Sequence, residues 1–155
     1  MLDNQFLYPE RIFIENDVYI GPDAKFSTST GIMIKDRVMC GTNVVIMGLD
    51  HRYDIIGKHM RFIKELGKSG EIIIEKNVWI GPCVVILKGL KIGAGSIIGV
   101  GSVVTKSISP YVIAFGNPCK LYKKSFSKHL SLLNFGGKYI ERIIQERNKY
   151  FDISQ

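Results

Sequence analysis

"IEKNVWIGPCVVILKGLKIGAGSIIGVGSVVTK", residues 74–106, carries a bulky apolar residue at every sixth position: Ile74, Ile80, Ile86, Ile92, Ile98 and Val104. The frame never slips across this stretch. Four residues after each comes a second, often smaller side chain, Val78, Val84, Leu90, Ser96, Ser102 and Ile108, and glycine follows the leading residue at Gly81, Gly93 and Gly99. A spacing of six does not keep residues on one helical face, and Gly, Val and Ile at this density disfavour helix. Each hexapeptide therefore reads as a short strand and a turn. Coils of such strands, stacked in parallel about 4.8 Å apart, would line up their apolar residues in columns. Each repeat buries its neighbour's open surface, and none is stable alone. An ordinary antiparallel β-sandwich would not need so strict a frame.

Working outward, an earlier block behaves the same way, with Ile14, Ile20 and Phe26, then, after a two-residue slip, Ile34, Cys40 and Ile46. Grouping the hexapeptides in threes predicts four coils, beginning near Ile14, Ile34, Ile74 and Ile92. The pattern vanishes between Ile46 and Ile74, so a loop insertion is expected over 47–73. At the far end the frame is expected to stop at Pro110, and "AFGNPCKLYKK" to lead out as an extended segment marked by glycine and proline. Tyr139, Ile140, Ile143, Ile144 and Arg147 lie at helical spacing after Gly136-Gly137, which predicts a short amphipathic helix over 138–151 covering part of the prism, its own or a neighbour's.

At 155 residues the chain suits one domain. Its apolar fraction of 46% and charged fraction of 23% are those of a globular protein, and no apolar run approaches a membrane span. The N-terminus has no basic segment followed by a long apolar block, so it does not read as a signal peptide, and a soluble, cytoplasmic protein without stable membrane insertion is expected. Cys40, Cys83 and Cys119 show no C-x-x-C spacing, which argues against a disulfide framework or a thiolate zinc site and favours buried free thiols. The formal net charge of +7 points to an anionic partner, which composition alone leaves open among nucleic acid, an acidic membrane surface and a phosphorylated small molecule.

The stretch "NVWIGPCVVILKGLKIGAGSIIGVGSVVTKSISPYVIAFGNPCKLYKK", residues 77–124, resembles the hexapeptide-repeat acetyltransferases of the left-handed β-helix fold. The xenobiotic, maltose and galactoside acetyltransferases and the related polysaccharide O-acetyltransferases are the nearest in look. "VWIG", "GSVVTK" and "GNPCK" in this order carry the resemblance, which with the earlier coils covers residues 11–124. It implies an all-β, left-handed parallel β-helix of four to five coils over residues 1–124, and residues 125–155, with the helix expected from their spacing, read as a helical tail. Left-handed coiling comes from the resemblance alone, since the general crossover rule favours the right hand. The resemblance also implies a homotrimer with active sites between subunits, acetyl-CoA as the acyl donor, no metal, and a small-molecule saccharide acceptor.

His51, five residues after Ile46 at the mouth of the insertion, matches the family's catalytic histidine. The chemistry needs such a group. Acetyl transfer from a thioester to an alcohol requires removal of the hydroxyl proton, and neutral imidazole, with an ordinary pKa of about 6.5, accepts it at neutral pH. No acyl-enzyme is required, and Cys40, at an inward frame position, reads as core. Relatives often carry a small residue and Asn before this histidine, where this chain has Leu49-Asp50; Asp50 would raise the imidazole pKa by proximity. "HRYDIIGKHM" is similar to the loop of the polysaccharide-type relatives, which makes Asp50, Arg52, Tyr53 and Asp54 candidates to hold acceptor hydroxyls; a solvated loop is the alternative. His59 has no counterpart role and reads as a surface residue.

For the coenzyme, the resemblance sets Pro82 and Val100 beside the thioester and pantetheine. It sets Thr105 and Lys106 along the pantetheine and phosphate path, and Lys120 and Lys123 near the nucleotide phosphates. Lysine replaces the more usual arginine at the last two, which keeps the charge and loses the bidentate fork. Trp79 reads as a packing residue, shielded by the loop or by a neighbouring subunit.

The expected function is an acetyl-CoA-dependent O-acetyltransferase acting on a saccharide. An N-acetyltransferase of an amino sugar, perhaps nucleotide-linked, is the alternative, because an amine is the better nucleophile and needs the base less. A carbonic anhydrase on the same prism needs three converging histidines. Only His51, His59 and His129 exist, and their spacing fails. A non-catalytic scaffold is the remaining reading. Nucleic-acid binding has little support, since coenzyme phosphates account for the basic residues and no aromatic-basic motif occurs.

Overall fold

The computed structural model describes residues 4–63 and 70–124. These form a parallel β-solenoid of about five turns, with almost no helix. The helix expected over 138–151 lies outside the described residues.

The chain opens with β1 (Gln5–Leu7). The first full coil is β2 (Ile12–Ile14), β3 (Tyr19–Ile20) and β4 (Lys25–Thr28), and the second is β5 (Ile32–Ile34), β6 (Met39–Cys40) and β7 (Val45–Gly48). After the insertion come β8 (Ile72–Ile74), β9 (Trp79–Ile80) and β10 (Val85–Leu87), then β11 (Lys91–Ile92), β12 (Ile97–Ile98) and β13 (Val103–Val104). Two strands complete the order, β14 (Val112–Phe115) and β15 (Lys120–Lys124). The first, second and third strands of each coil stack into three sheets, in the orders β2-β5-β8-β11, β3-β6-β9-β12-β14-β15 and β1-β4-β7-β10-β13. All pairings are parallel except β14 with β15. Four coils thus begin where the hexapeptides place them.

The register shows why the frame is strict. Ile14, Ile34 and Ile74 pair in one column, Cys40 and Ile80 in the next, and Phe26, Ile46 and Ile86 in the third. Apart from Ile14 at the open end of the solenoid, these side chains are buried. Each such aliphatic chain contributes about 1.5–3 kcal/mol by leaving water.

The corners supply the other half of the code. The third residue after each leading one turns in the left-handed region: Asp17, Arg37, Asn77, Gly95 and Tyr111 at one corner, Asp23, Asn43, Cys83 and Gly101 at the next. Asn and Asp tolerate this conformation better than other L-residues, and glycine takes it freely. From the second coil on, each of these corner N–H groups donates to a carbonyl one coil below, Asn77 to Asp36 at 3.0 Å, Gly95 to Lys76 at 3.0 Å, Cys83 to Thr42 at 2.9 Å and Gly101 to Pro82 at 2.9 Å. These bonds satisfy the turn backbone that a strand ladder would otherwise leave unpaired.

Three details differ from the sequence reading. The insertion is shorter, because β7 continues to Gly48 and β8 starts at Ile72. The frame does not stop at Pro110: Ile108 pairs with Ile92 and Ala114 with Ile98, so a fifth turn continues with a spacing of 16 residues where the preceding coil has 18. Finally, "AFGNPCKLYKK" folds back through Gly116–Pro118 as a hairpin, β15 pairing with β14 across an irregularity at Ile113/Ala114.

Glu75 joins three coils at one corner, its carboxylate accepting from Lys91 Nζ at 2.8 Å and Lys35 Nζ at 3.0 Å. Hydrogen bonds from Lys91 and then Lys35 hold its carboxyl below the usual range. This stabilisation is present above the carboxylate's unfolded-state pKa and is lost as pH falls through the lowered folded value. Glu75→Gln should therefore cost about 1 kcal/mol at pH 7, with the difference closing in acid. Urea denaturation of both proteins across pH 3–7 measures it. Coil spacing is tested at Gly81, where a Cβ would lie 2.8 Å from the Val100 amide nitrogen and 2.9 Å from the Ile98 carbonyl oxygen. Backbone cannot yield as a side chain does, so Gly81→Ala should lower stability by about 1–3 kcal/mol in the same assay.

Candidate functional site

The insertion leaves and rejoins the solenoid at one corner. Thr28 closes the equivalent turn one coil earlier, its hydroxyl accepting from the Gly31 N–H at 2.8 Å and the Thr30 N–H at 3.1 Å. Gly48 pairs with Thr28, and a Cβ there would meet the Thr28 hydroxyl at 2.8 Å. At Gly48 the second coil releases the chain into Leu49-Asp50-His51 instead of closing. It returns at Gly70, whose carbonyl accepts from the Gly89 N–H at 3.1 Å, and the Ile72 N–H donates to Gly31 at 3.0 Å.

Asp50 stands at the exit. One carboxylate oxygen accepts the backbone N–H of His51 at 2.9 Å, and the other accepts from Lys88 Nζ, on the coil above. The Lys88 hydrogen bond, helped by the His51 amide, holds the Asp50 carboxyl below the usual carboxylate range. The pair persists above that lowered value and is lost as pH falls through it. The sequence reading expected Asp50 to act on the imidazole through proximity, and a charge interaction with His51 is among the causes that lower the Asp50 carboxyl. Its hydrogen bonds go to the histidine's backbone and to a lysine 38 positions away. Lys88 escaped the sequence reading because it occupies an ordinary turn position with no local signal.

His51 is exposed, as a proton acceptor for an external hydroxyl must be. Among the described residues its imidazole has no hydrogen-bond partner. Arg52 Nε and Nη2 donate to Asp54 at 2.8 and 3.3 Å, a fork that holds the Asp54 carboxyl below its ordinary value. Tyr53 is 78% exposed, free to offer an aromatic face. His59 caps the 3-10 turn Met60–Phe62, accepting the Arg61 N–H on Nδ1 at 3.3 Å.

The residues expected on the coenzyme path lie at three places. Pro82 and Val100 occupy equivalent positions of successive coils, each two residues beyond a paired leading isoleucine, Ile80 and Ile98. Val100 is 71% exposed. Thr105 and Lys106, both exposed, follow β13 at the corner where Lys88 follows β10. Lys120 and Lys123 lie on β15, where Lys120 lines a cavity of about 330 Å³ with Phe115 and Tyr122. Those two rings are 5.1 Å apart, and Lys123 Nζ lies 5.6 Å from the Tyr122 centroid. His51 and Lys106 thus share a corner, whereas Pro82 and Val100 lie at the preceding corner, where strands leave the sheet whose last strand, β15, carries the two lysines. Trp79 is 49% exposed on the outer face, so the described part of the loop does not shield it.

A sequence profile of the family described as "Bacterial transferase hexapeptide (six repeats)" matches residues 71–106, the stretch with the unbroken frame. The chain belongs to the bacterial hexapeptide-repeat transferases. It is 33% identical over 123 residues to a galactoside O-acetyltransferase of Lactococcus lactis, covering 78% of this chain and 56% of the relative. Among solved structures it is similar to a hexapeptide-repeat acetyltransferase of Vibrio cholerae complexed with acetyl coenzyme A, with a TM-score of 0.73 and 27% identity over 80% of this chain and 66% of that one. A galactoside acetyltransferase in complex with coenzyme A superposes with a TM-score of 0.70 and 31% identity, over 86% and 64% of the two chains. The chain spans little more than half the length of the galactoside O-acetyltransferase it matches, 56%.

Of the three thiols expected to be buried, Cys40 is, Cys119 is partly so and Cys83 is not. Cys40 is fully buried, and burial pushes its thiol up to about 12, so no thiolate forms near neutrality. Burial raises Cys119 as well, while Cys83 is exposed. No group of three or more His, Cys, Asp or Glu side chains suited to a metal occurs among the described residues. Native protein treated with a thiol-specific chromogen at pH 8 should report Cys83 at once, Cys119 slowly and Cys40 only after denaturant is added. Mass spectrometry of the labelled peptides assigns the phases.

Proposed function

We propose that this family member is an acetyl-CoA-dependent O-acetyltransferase for a hydroxyl of a saccharide, with His51 as general base. The observation that carries the reading is the exit of the chain at Gly48, which presents one exposed histidine at the root of a polar loop. The galactoside O-acetyltransferase relative and the coenzyme-bound neighbours support it.

When bound, acetyl-CoA supplies the acetyl group as a thioester. Half-buried Pro82 and exposed Val100 offer an apolar wall for pantetheine, and Thr105 and Lys106 add a hydroxyl and a cation at the next corner. Lys120 and Lys123 supply positive charge for the nucleotide phosphates, beside the cavity lined by Phe115 and Tyr122. The imidazole of His51 takes the proton of the acceptor hydroxyl as its oxygen attacks, and returns it to the departing thiolate. Asp50 borders this site, and the Arg52–Asp54 pair and Tyr53 hold the acceptor, two planar polar groups and an aromatic face suited to a sugar.

Pro82, Val100, Lys120 and Lys123 belong to one sheet and its exit corner, whereas His51, Thr105 and Lys106 lie at the following corner, and we assign the wall that closes the groove between them to a neighbouring copy. A homotrimer with sites between subunits meets that need. Residues 1–124 are then the catalytic domain and 125–155 an accessory tail. The enzyme works in the cytoplasm, where acetyl-CoA is found. No helix among the described residues is long and apolar enough to cross a membrane.

The test is thiol release from acetyl-CoA with a panel of sugars, amino sugars and nucleotide sugars. A plain sugar should serve as acceptor, and His51→Ala should lower kcat by about 10²–10⁴-fold. Release that needs an amino sugar and survives His51→Ala would move the assignment to an N-acetyltransferase.

A further inference from the structure

We infer that Lys88 is a positioning residue for His51, fastening the root of the histidine loop to the third coil. This rests on the reading of His51 as the base.

Both ends of the insertion meet the same two residues. At the exit, Lys88 Nζ donates to Asp50, whose other oxygen takes the His51 backbone N–H at 2.9 Å. At the return, the Gly89 N–H donates to the Gly70 carbonyl at 3.1 Å. Lys88-Gly89 therefore clasps the loop where it opens and where it closes. The clasp is needed because the coil beneath provides no hydroxyl: Thr28 closes its own turn with two backbone N–H groups, but its stacked partner is Gly48. A loop leaving from glycine has no side chain to fix its direction. Asp50 does so two residues later.

The anchor is rigid. Lys88 follows β10, whose Ile86 is buried between Ile46 below and Val104 above. The Asp50 and Lys88 side chains are 41% and 35% exposed, partly withdrawn from water, where a charge-assisted bond holds direction better than a fully solvated pair. The clasp holds the His51 backbone, and among the described residues nothing hydrogen-bonds its imidazole, which the reacting hydroxyl would meet.

Lys88→Met, Lys88→Arg, Asp50→Asn and, as a control, Lys76→Met at an exposed corner are compared in the full chain. Two readouts are taken. In protein labelled with ¹⁵N-histidine, Lys88→Met should move the His51 amide proton upfield and speed its exchange with solvent, Lys88→Arg should restore most of both, and Lys76→Met should change neither. In thiol release with the best acceptor, Lys88→Met should lower kcat about tenfold with the KM for acetyl-CoA unchanged. A His51 amide that ignores Lys88→Met overturns the inference. So does a raised KM for acetyl-CoA at unchanged kcat, which would make Lys88 a coenzyme-binding residue. The amide readout needs no turnover, so it tests the clasp even if the acetyltransferase reading fails, and that failure shows separately as an active His51→Ala enzyme.

Discussion

The bond between a left-handed corner and the coil beneath it sets everything else in this molecule. Cys83 turns at positive φ and donates to Thr42, and Gly101 above does the same to Pro82. A corner of this kind consumes a fixed number of residues, so inward side chains recur every six positions and the columns of isoleucine follow. Where the corner is kept, only side chains vary. Where it is abandoned, as after Gly48, the chain leaves the solenoid without disturbing its neighbours, because Ile34 with Ile74 and Ile46 with Ile86 still stack across the gap. A long insertion costs little when its two ends are already neighbours.

That economy explains how a repetitive scaffold comes to hold chemistry. The inward residues of the strands are mostly aliphatic, and the corner backbone is spent on hydrogen bonds. The proposed function draws on what projects outward: His51 on the loop, Lys106 one coil above Lys88, Pro82 and Val100 stacked at the preceding corner, and Lys120 and Lys123 on β15. The stacking that buries Cys40, and so keeps its thiol protonated, also leaves His51 exposed. Burial withdraws the Cys40 thiol from use, while the loop leaves the His51 side chain at the surface.

The coils were readable because the signal is periodic and long: six leading residues from Ile74 to Val104 admit one spacing. The fifth turn was hidden by its length. Ile108 falls two residues early, a frame search takes it for the second side chain of the preceding repeat, and Pro110 then looks like a stop. β15 was missed for a related reason, since an antiparallel return through "GNP" breaks the six-residue rule while still pairing with β14. The place of His51 at the break in the frame was legible. The role of Asp50 was not, because its partner Lys88 lies 38 positions away and is near only after the third coil stacks on the second.

The account ties a corner of the solenoid to a proton transfer, and a crystal structure of the full chain with coenzyme A tests that tie most directly. The account predicts pantetheine passing Pro82 and Val100, with the sulfur within hydrogen-bond reach of the His51 imidazole, about 3 Å or one water away. Coenzyme A bound along another corner, with its sulfur remote from His51, would contradict it.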